Sequence, residues 1–219
     1  MKKIFDRRLF VVVLITSILL VLACIYLLDA RVALSVNSLL YAHPYLRRSV
    51  NKIPNLLPVA VYVGTAGMWV VYLMLRRSGN SSYAPFLKLT MIVVPVAFLL
   101  KMFLQYVFGR TNIQVWLIKG GEMEFSFFSP LSNYPCFPSG HMTVFTAFVI
   151  AVWLYYPRCR PFVVASLPIL GTALVVTNKH YLGDVIAGFF CGLLVTTITS
   201  HLIAKAESAN FFPDSTSSL

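Results

Sequence analysis

Apolar residues run along this chain in long blocks separated by short charged or turn-forming breaks. A block of ~20 apolar residues is what an α-helix needs to cross a bilayer. Such blocks fall at residues 9–28, 56–75, 89–108, 142–156 with an extension back to Pro138, 162–177 and 185–204. The breaks are Asp29, the Arg76-Arg77-Ser78-Gly79-Asn80 stretch, Gly109-Arg110 and the Pro157 to Pro161 stretch, and the sixth block ends at Lys205. This pattern predicts an all-α, integral membrane bundle of six transmembrane helices. The fifth block is short and carries Pro168. Between the first two blocks, Val32, Val36, Leu39 and Leu40 recur at helical spacing among Arg31, Arg47, Arg48 and Lys52. They read equally as an interfacial helix or as a packed connecting loop.

Composition agrees with the pattern. Over 219 residues, 58% are hydrophobic and 11% charged, with a mean hydropathy of +0.79, which is a membrane composition. The charged start of the chain and the sequence before Cys24 have some features of a cleaved leader, but the apolar run continues to Leu28, which favours a retained helix. With the N-terminus inside, Lys and Arg on the inner side outnumber those on the outer side, so both termini are expected in the cytoplasm. The net charge of +11 flanks hydrophobic blocks instead of forming a basic run with interleaved aromatics. It therefore points to a membrane with anionic lipid and not to nucleic acid. Cys24, Cys136, Cys159 and Cys191 form no Cys-x-x-Cys pair and lie at different depths, against a disulfide framework or a zinc site. The chain reads as one membrane-embedded domain over 1–219, with the chemistry between 101 and 184 and a flexible tail at 207–219.

Polar residues inside or at the mouths of these blocks carry the functional signal, because ionisable groups are costly there. The third block holds Lys101 and Gln105 one turn apart and ends in Phe108-Gly109-Arg110. The fourth opens with Pro138-Ser139-Gly140-His141, the fifth runs into Thr177-Asn178-Lys179-His180, and the sixth begins at Asp184. In the expected topology these gather at the outer surface. A first helical turn offers unpaired N–H groups to an anion. Ser139 can cap the helix or donate to an anion, Gly140 allows close approach, and His141 can supply a proton. With Arg110 and the lysines this makes a pocket suited to phosphate, although Pro-Ser-Gly alone is also an ordinary helix start. His180 and Asp184, four residues apart, would set a carboxylate against an imidazole in a helical segment, either as a structural contact or to fix the tautomer of a nucleophile. Two histidines at one face allow one to attack phosphorus while the other protonates the leaving oxygen.

These residues resemble the type-2 phosphatidic acid phosphatase superfamily of membrane lipid phosphatases. Phe137-Pro138-Ser139-Gly140-His141 matches the second family motif without a change, and the histidine and aspartate of the third motif fall on His180 and Asp184. The resemblance implies His180 as nucleophile through a phosphohistidine, Asp184 as its orienting partner, His141 as general acid, Ser139 and Gly140 as phosphate ligands, and no metal or cofactor. The first motif, Lys, six residues, Arg-Pro, does not fit from Lys101, which counts forward to Phe108; aligning Phe108-Gly109-Arg110 places Gln105 at the lysine and Asn112 at the second arginine. Lys101 would then reach outward in place of Gln105. The Ser-Arg of the third motif falls on Ala173-Leu174, so Lys179 or Asn178 is expected to supply the lost donor.

The expected activity is hydrolysis of a phosphomonoester or diphosphate on a lipid such as undecaprenyl diphosphate, phosphatidic acid, phosphatidylglycerol phosphate or lipid A. The alternatives are a lipid phosphotransferase sharing the same intermediate and a non-catalytic lipid-binding or transport protein of the same fold. The partners expected are the lipid phosphate and membrane lipids. On the resemblance, the place is a bacterial inner membrane with the site facing the periplasm or exterior. His43, His201, Trp69, Trp116, Trp153, Glu122 and Glu124 read as background, with Trp116 the tryptophan nearest the site.

Overall fold

The computed structural model describes residues 7–42, 63–64, 66–67, 69–74, 77, 83–120, 123–128 and 136–211. Seven α-helices are named within them: α1 (Arg7–Ala23), α2 (Asp29–Ala42), α3 (Ala84–Phe108), α4 (Ile113–Lys119), α5 (Gly140–Tyr155), α6 (Arg160–Val176) and α7 (Leu182–Phe211). Four stretches are long and apolar enough to cross a membrane: Phe10–Ala42, Ala84–Phe108, Pro157–Val176 and Leu182–Ser208; Gly140–Tyr155 is apolar but shorter. Half of the second expected span lies outside the described residues, and those of its residues that are described are helical. His43 and Glu122 also fall outside them.

The first block departs from expectation. A π-helical turn, Cys24–Leu28, joins α1 directly to α2, so the segment read as an interfacial helix or loop continues the first span. Asp29, read as the charge that ends the span, is instead buried. Its carboxylate is paired with Arg110 at 2.8 Å, so the acid gives the helix no reason to stop at the bilayer edge. At the other end, the tail expected from Glu207 is helical as far as Phe211, and Glu207 pairs with Lys88 at 2.9 Å on the surface.

Local chemistry sets the remaining boundaries. The third span ends where Gly109 takes a left-handed conformation (φ 53°) and donates its N–H to the Gln105 carbonyl, the usual work of a glycine past a helix end. Ser139 caps α5, while Pro168 is accommodated inside α6.

The centre of the bundle is the contact of α3, α5 and α7. Leu89, Val93, Val94 and Ala97 of α3 meet Val144, Ala147 and Ala151 of α5 and Val195 of α7. Apolar burial alone does not favour helix association in lipid, so close backbone approach matters. Gly188 and Gly192 put a small-residue stripe of α7 directly against the α5 backbone: a Cβ on Gly188 would lie 2.6 Å from the Ser139 carbonyl oxygen, and one on Gly192 would overlap the Thr143 carbonyl. The Thr196 hydroxyl donates across the same contact to the Ala147 carbonyl at 3.1 Å.

Candidate active site

The start of α5, the start of α7 and the end of α3 meet at one point. The Ser139 N–H donates to the Asp184 carbonyl at 2.9 Å, tying the two helix starts together. Gln105 of α3 donates its side-chain amide to the Pro138 carbonyl at 3.1 Å. The Lys101 stem lies against Gly140, where a Cβ would strike the lysine Cε. The Met142 N–H reaches the Ser139 hydroxyl oxygen at 3.4 Å, and Thr143 donates its own hydroxyl to the Ser139 carbonyl at 2.8 Å.

This frame brings His141 and His180 face to edge, with ring centroids 6.0 Å apart. Lys101 and Lys179 are near enough to act electrostatically on His141. His141 Nε2 is buried and has no hydrogen-bond partner among the described residues. Such an atom is costly unless something binds it.

His180 precedes α7 in an irregular turn and is not part of a continuous helix with Asp184. The turn is made possible by Asn178 in a left-handed conformation (φ 48°). Asp184 sits in the first turn of α7, where its Oδ2 accepts the Tyr181 N–H at 3.1 Å. This is the acidic half of a capping box. The same Oδ2 is 3.7 Å from His180 Nδ1, too long for a hydrogen bond. Cys136 Sγ is closer to that nitrogen, at 3.3 Å. Burial first, and Asp184 second, push the Cys136 thiol well above its ordinary range, so it remains a neutral S–H. With the thiol proton directed to the Lys179 carbonyl at 3.7 Å, the sulfur can accept from an Nδ1–H.

Behind Asp184 is a fully buried ion cluster. Arg110 gives Nη1 to Asp184 at 2.6 Å and Nη2 to Asp29 at 2.8 Å, with all three side chains at 1% exposure or less. The guanidinium carbon lies 4.1 Å from the ring centre of Tyr181 and 5.2 Å from that of Phe125. Burial acts against the guanidinium charge, but Asp184 and Asp29 outweigh it and hold Arg110 above its ordinary value. The other oxygen of Asp29 accepts the Gly183 N–H at 2.8 Å, placing an anion on the exposed donors of the α7 start. Burial raises the Tyr181 phenol above its ordinary range, and Trp116 packs near its ring at 6.2 Å.

Of the residues expected at the site, His141, His180, Asp184, Ser139, Gly140, Lys101 and Lys179 are brought together. Two are placed otherwise. Arg110, expected to bind phosphate, spends both amino groups on carboxylates. Asn178 turns its amide to the Ala33 carbonyl of α2 at 3.5 Å and is buried there. Three residues at the site were not expected: Asp29, Cys136 and Tyr181. The signal for Asp29 was a lone acid at the end of an apolar run, which demands a partner once buried.

Among the described residues, Cys136, His180 and Asp184 hold one potential ligand atom each within 4.8 Å of one another. They form the donor set to which a metal would bind. In this arrangement, however, Asp184 is already engaged by Arg110 and Tyr181, and the thiol is protonated.

Comparison with known proteins adds the following. The family model of the PAP2 superfamily matches residues 89–208. Two curated proteins named lipid A 1-phosphatase, from Rhizobium johnstonii and Rhizobium etli, are 38% and 36% identical over 85 residues, or 39% of this chain. The match covers 35% and 37% of their lengths, so it spans little more than a third of these relatives. No solved structure shows a significant match.

Proposed function

The chain belongs to the PAP2 superfamily, and we propose that it is a membrane lipid phosphatase working through a phosphohistidine on His180. The observation that carries the reading is the pair of imidazoles with centroids 6.0 Å apart, one turned by Nδ1 toward Cys136 and Asp184 and the other with an unpartnered buried nitrogen. With Nδ1 holding its proton toward these acceptors, Nε2 of His180 keeps a free lone pair. That lone pair forms the N–P bond while the bond from phosphorus to the lipid oxygen breaks. His141 gives its proton to that oxygen. Water then attacks phosphorus, His141 takes the water proton, the N–P bond breaks, and inorganic phosphate leaves with His180 restored. Lys101, Lys179 and the N–H groups at the start of α5 serve the phosphate oxygens as charge redistributes. Ser139 and Gly140 shape that helix start. Arg110 and Asn178 are not assigned to phosphate.

Lipid A 1-phosphate comes first among the substrates, because the two curated relatives carry that name. Phosphatidic acid, undecaprenyl diphosphate and phosphatidylglycerol phosphate follow. The proposed setting is a bacterial inner membrane with the site on the exterior face, supported by the excess of Lys and Arg on the side of the termini. The test is phosphate release from these four lipids by detergent-purified protein, wild type beside His180→Ala, with a strong chelator throughout. Release that depends on His180 and survives the chelator supports the reading. No release by wild type from any of the four, or release undiminished in His180→Ala, overturns it.

A further inference from the structure

Asp29 belongs to the first membrane span and to none of the motifs that mark the catalytic region. Yet it is 81 residues from Arg110 and 154 from Gly183 in sequence, and bonds both. Three features show that its place is built. The π-helical turn Cys24–Leu28 ends immediately before it, and such turns shift the face that the following residues present. Gly183 lacks a Cβ, and any Cβ there would come 2.8 Å from Asp29 Oδ2. Arg110 is held from both sides by carboxylates and over two aromatic rings, leaving it no freedom to choose one acid.

Charge counting gives the consequence. Arg110 paired with Asp184 alone would make a neutral unit, and Asp184 would offer little negative potential to His180. With Asp29 included, two carboxylates share one guanidinium. With both carboxylates ionised, the buried cluster keeps one net negative charge, and Asp184 Oδ2 is its edge nearest His180, at 3.7 Å. We propose that Asp29 is a positioning residue for the reaction: it shares Arg110 with Asp184 and so keeps Asp184 an effective anion beside His180. This rests on His180 being the nucleophile. The imidazole gains positive charge as its N–P bond forms, and a fixed anion beside it lowers the energy of that state. The bond to Gly183 adds orientation, since it fixes Asp29 to the helix start that carries Asp184.

The experiment compares wild type, Asp29→Asn and the double variant Asp29→Asn/Arg110→Gln, with His180→Ala beside them. Full-length protein in detergent is assayed on lipid A bearing its 1-phosphate and, in parallel, on phosphatidic acid. The folded fraction of each variant is read by size-exclusion chromatography. Asn keeps an oxygen for the Gly183 N–H but makes the cluster neutral, and the double variant returns it to one net negative charge. Asp29→Asn is expected to lower kcat by about 10- to 100-fold with KM within about twofold of wild type. The double variant is expected to be at least about threefold faster than the single one, an order that a purely structural role would reverse. More than half of wild-type kcat in Asp29→Asn, a loss confined to KM, or a double variant no faster than the single overturns the proposal. If Asp29→Asn does not fold, the double variant decides: kcat within about tenfold of wild type supports the proposal. A slower or unfolded double variant assigns Asp29 to stability alone and overturns it. An inactive wild type, or release that survives His180→Ala, is a separate failure that removes the phosphatase reading and this proposal with it.

Discussion

Replacing Gly188 by Ala tests whether the close contact of α5 and α7 sets the catalytic geometry. Two effects oppose each other. Alanine favours the helix by about 1 kcal/mol over glycine. Its Cβ, however, would sit 2.6 Å from the Ser139 carbonyl oxygen, 3.0 Å from Met142 Cβ and 3.2 Å from Thr143 Oγ1, where ordinary contact begins at 3.4 Å. The backbone oxygen is the obstacle that cannot rotate away, so α5 and α7 must separate locally by roughly 0.8 Å, the difference between 3.4 and 2.6. Overpacking of this kind costs about 1–3 kcal/mol, so the net expectation is a loss of about 0–2 kcal/mol. The activity consequence is larger. Ser139 and His141 move with α5 while Asp184 stays with α7 and His180 with the turn before it, and a misplacement of about 1 Å can cost about 100-fold in rate. Phosphate release should fall by about 10- to 100-fold while the melting temperature drops by only a few degrees. Thermal melting in detergent and the steady-state rate on lipid A 1-phosphate measure the two. A Gly188→Ala protein that melts higher and keeps full rate would refute the reasoning, since propensity would then have won and the contact would not constrain the site.

Two further outcomes follow from the site. Because burial and Asp184 raise the Cys136 thiol pKa above its ordinary value of 9.0, the thiolate is scarce below that pH. Iodoacetamide at pH 8 should leave Cys136 unmodified in the folded protein and label it after denaturation, as read by peptide mass spectrometry; rapid labelling of the folded form would contradict the assignment. Lys101→Ala removes a cation at the start of α5 and should lower kcat/KM by about tenfold or more, whereas Lys101→Arg keeps the charge but must pass a bulkier head along Gly140 and should recover only part of it. Equal rates for wild type and Lys101→Ala would remove Lys101 from the phosphate site.

The linear pattern exposed what depends on local sequence. Long apolar blocks predicted the helices, and the cap at Ser139 and the break at Gly109 are consequences of neighbouring residues alone. His141, His180 and Asp184 drew attention because polar groups stand out at the mouths of apolar helices, and the structure brings them together. What spacing could not reveal was which opposite charge would claim a given residue. Arg110 looked like a phosphate ligand because a cation near a phosphate motif is usually read that way, yet two buried acids hold it. Asp29 was read as a stop signal because its partner lies 81 residues away. Cys136 was set aside because the four cysteines form no Cys-x-x-Cys pair and lie at different depths, although its neighbours are an imidazole and a carboxylate brought in from more than 40 residues downstream. The His180 and Asp184 pair was expected along one helix. The chain instead makes a left-handed turn at Asn178 and begins a new helix between them.

The continuous helix of the first span also acts as a ruler. From Phe10 to Asp29 it rises about 28 Å at 1.5 Å per residue, close to the roughly 30 Å of a bilayer's hydrocarbon core. A hydrocarbon edge placed at Phe10 would put the opposite edge near Asp29, within a helix that runs on to Ala42. Its bonds to Arg110 and Gly183 fix the start of α7 at the same height along that helix. On the proposed reading, a lipid whose chains remain in the bilayer would present its phosphate to His141 and His180 at that height.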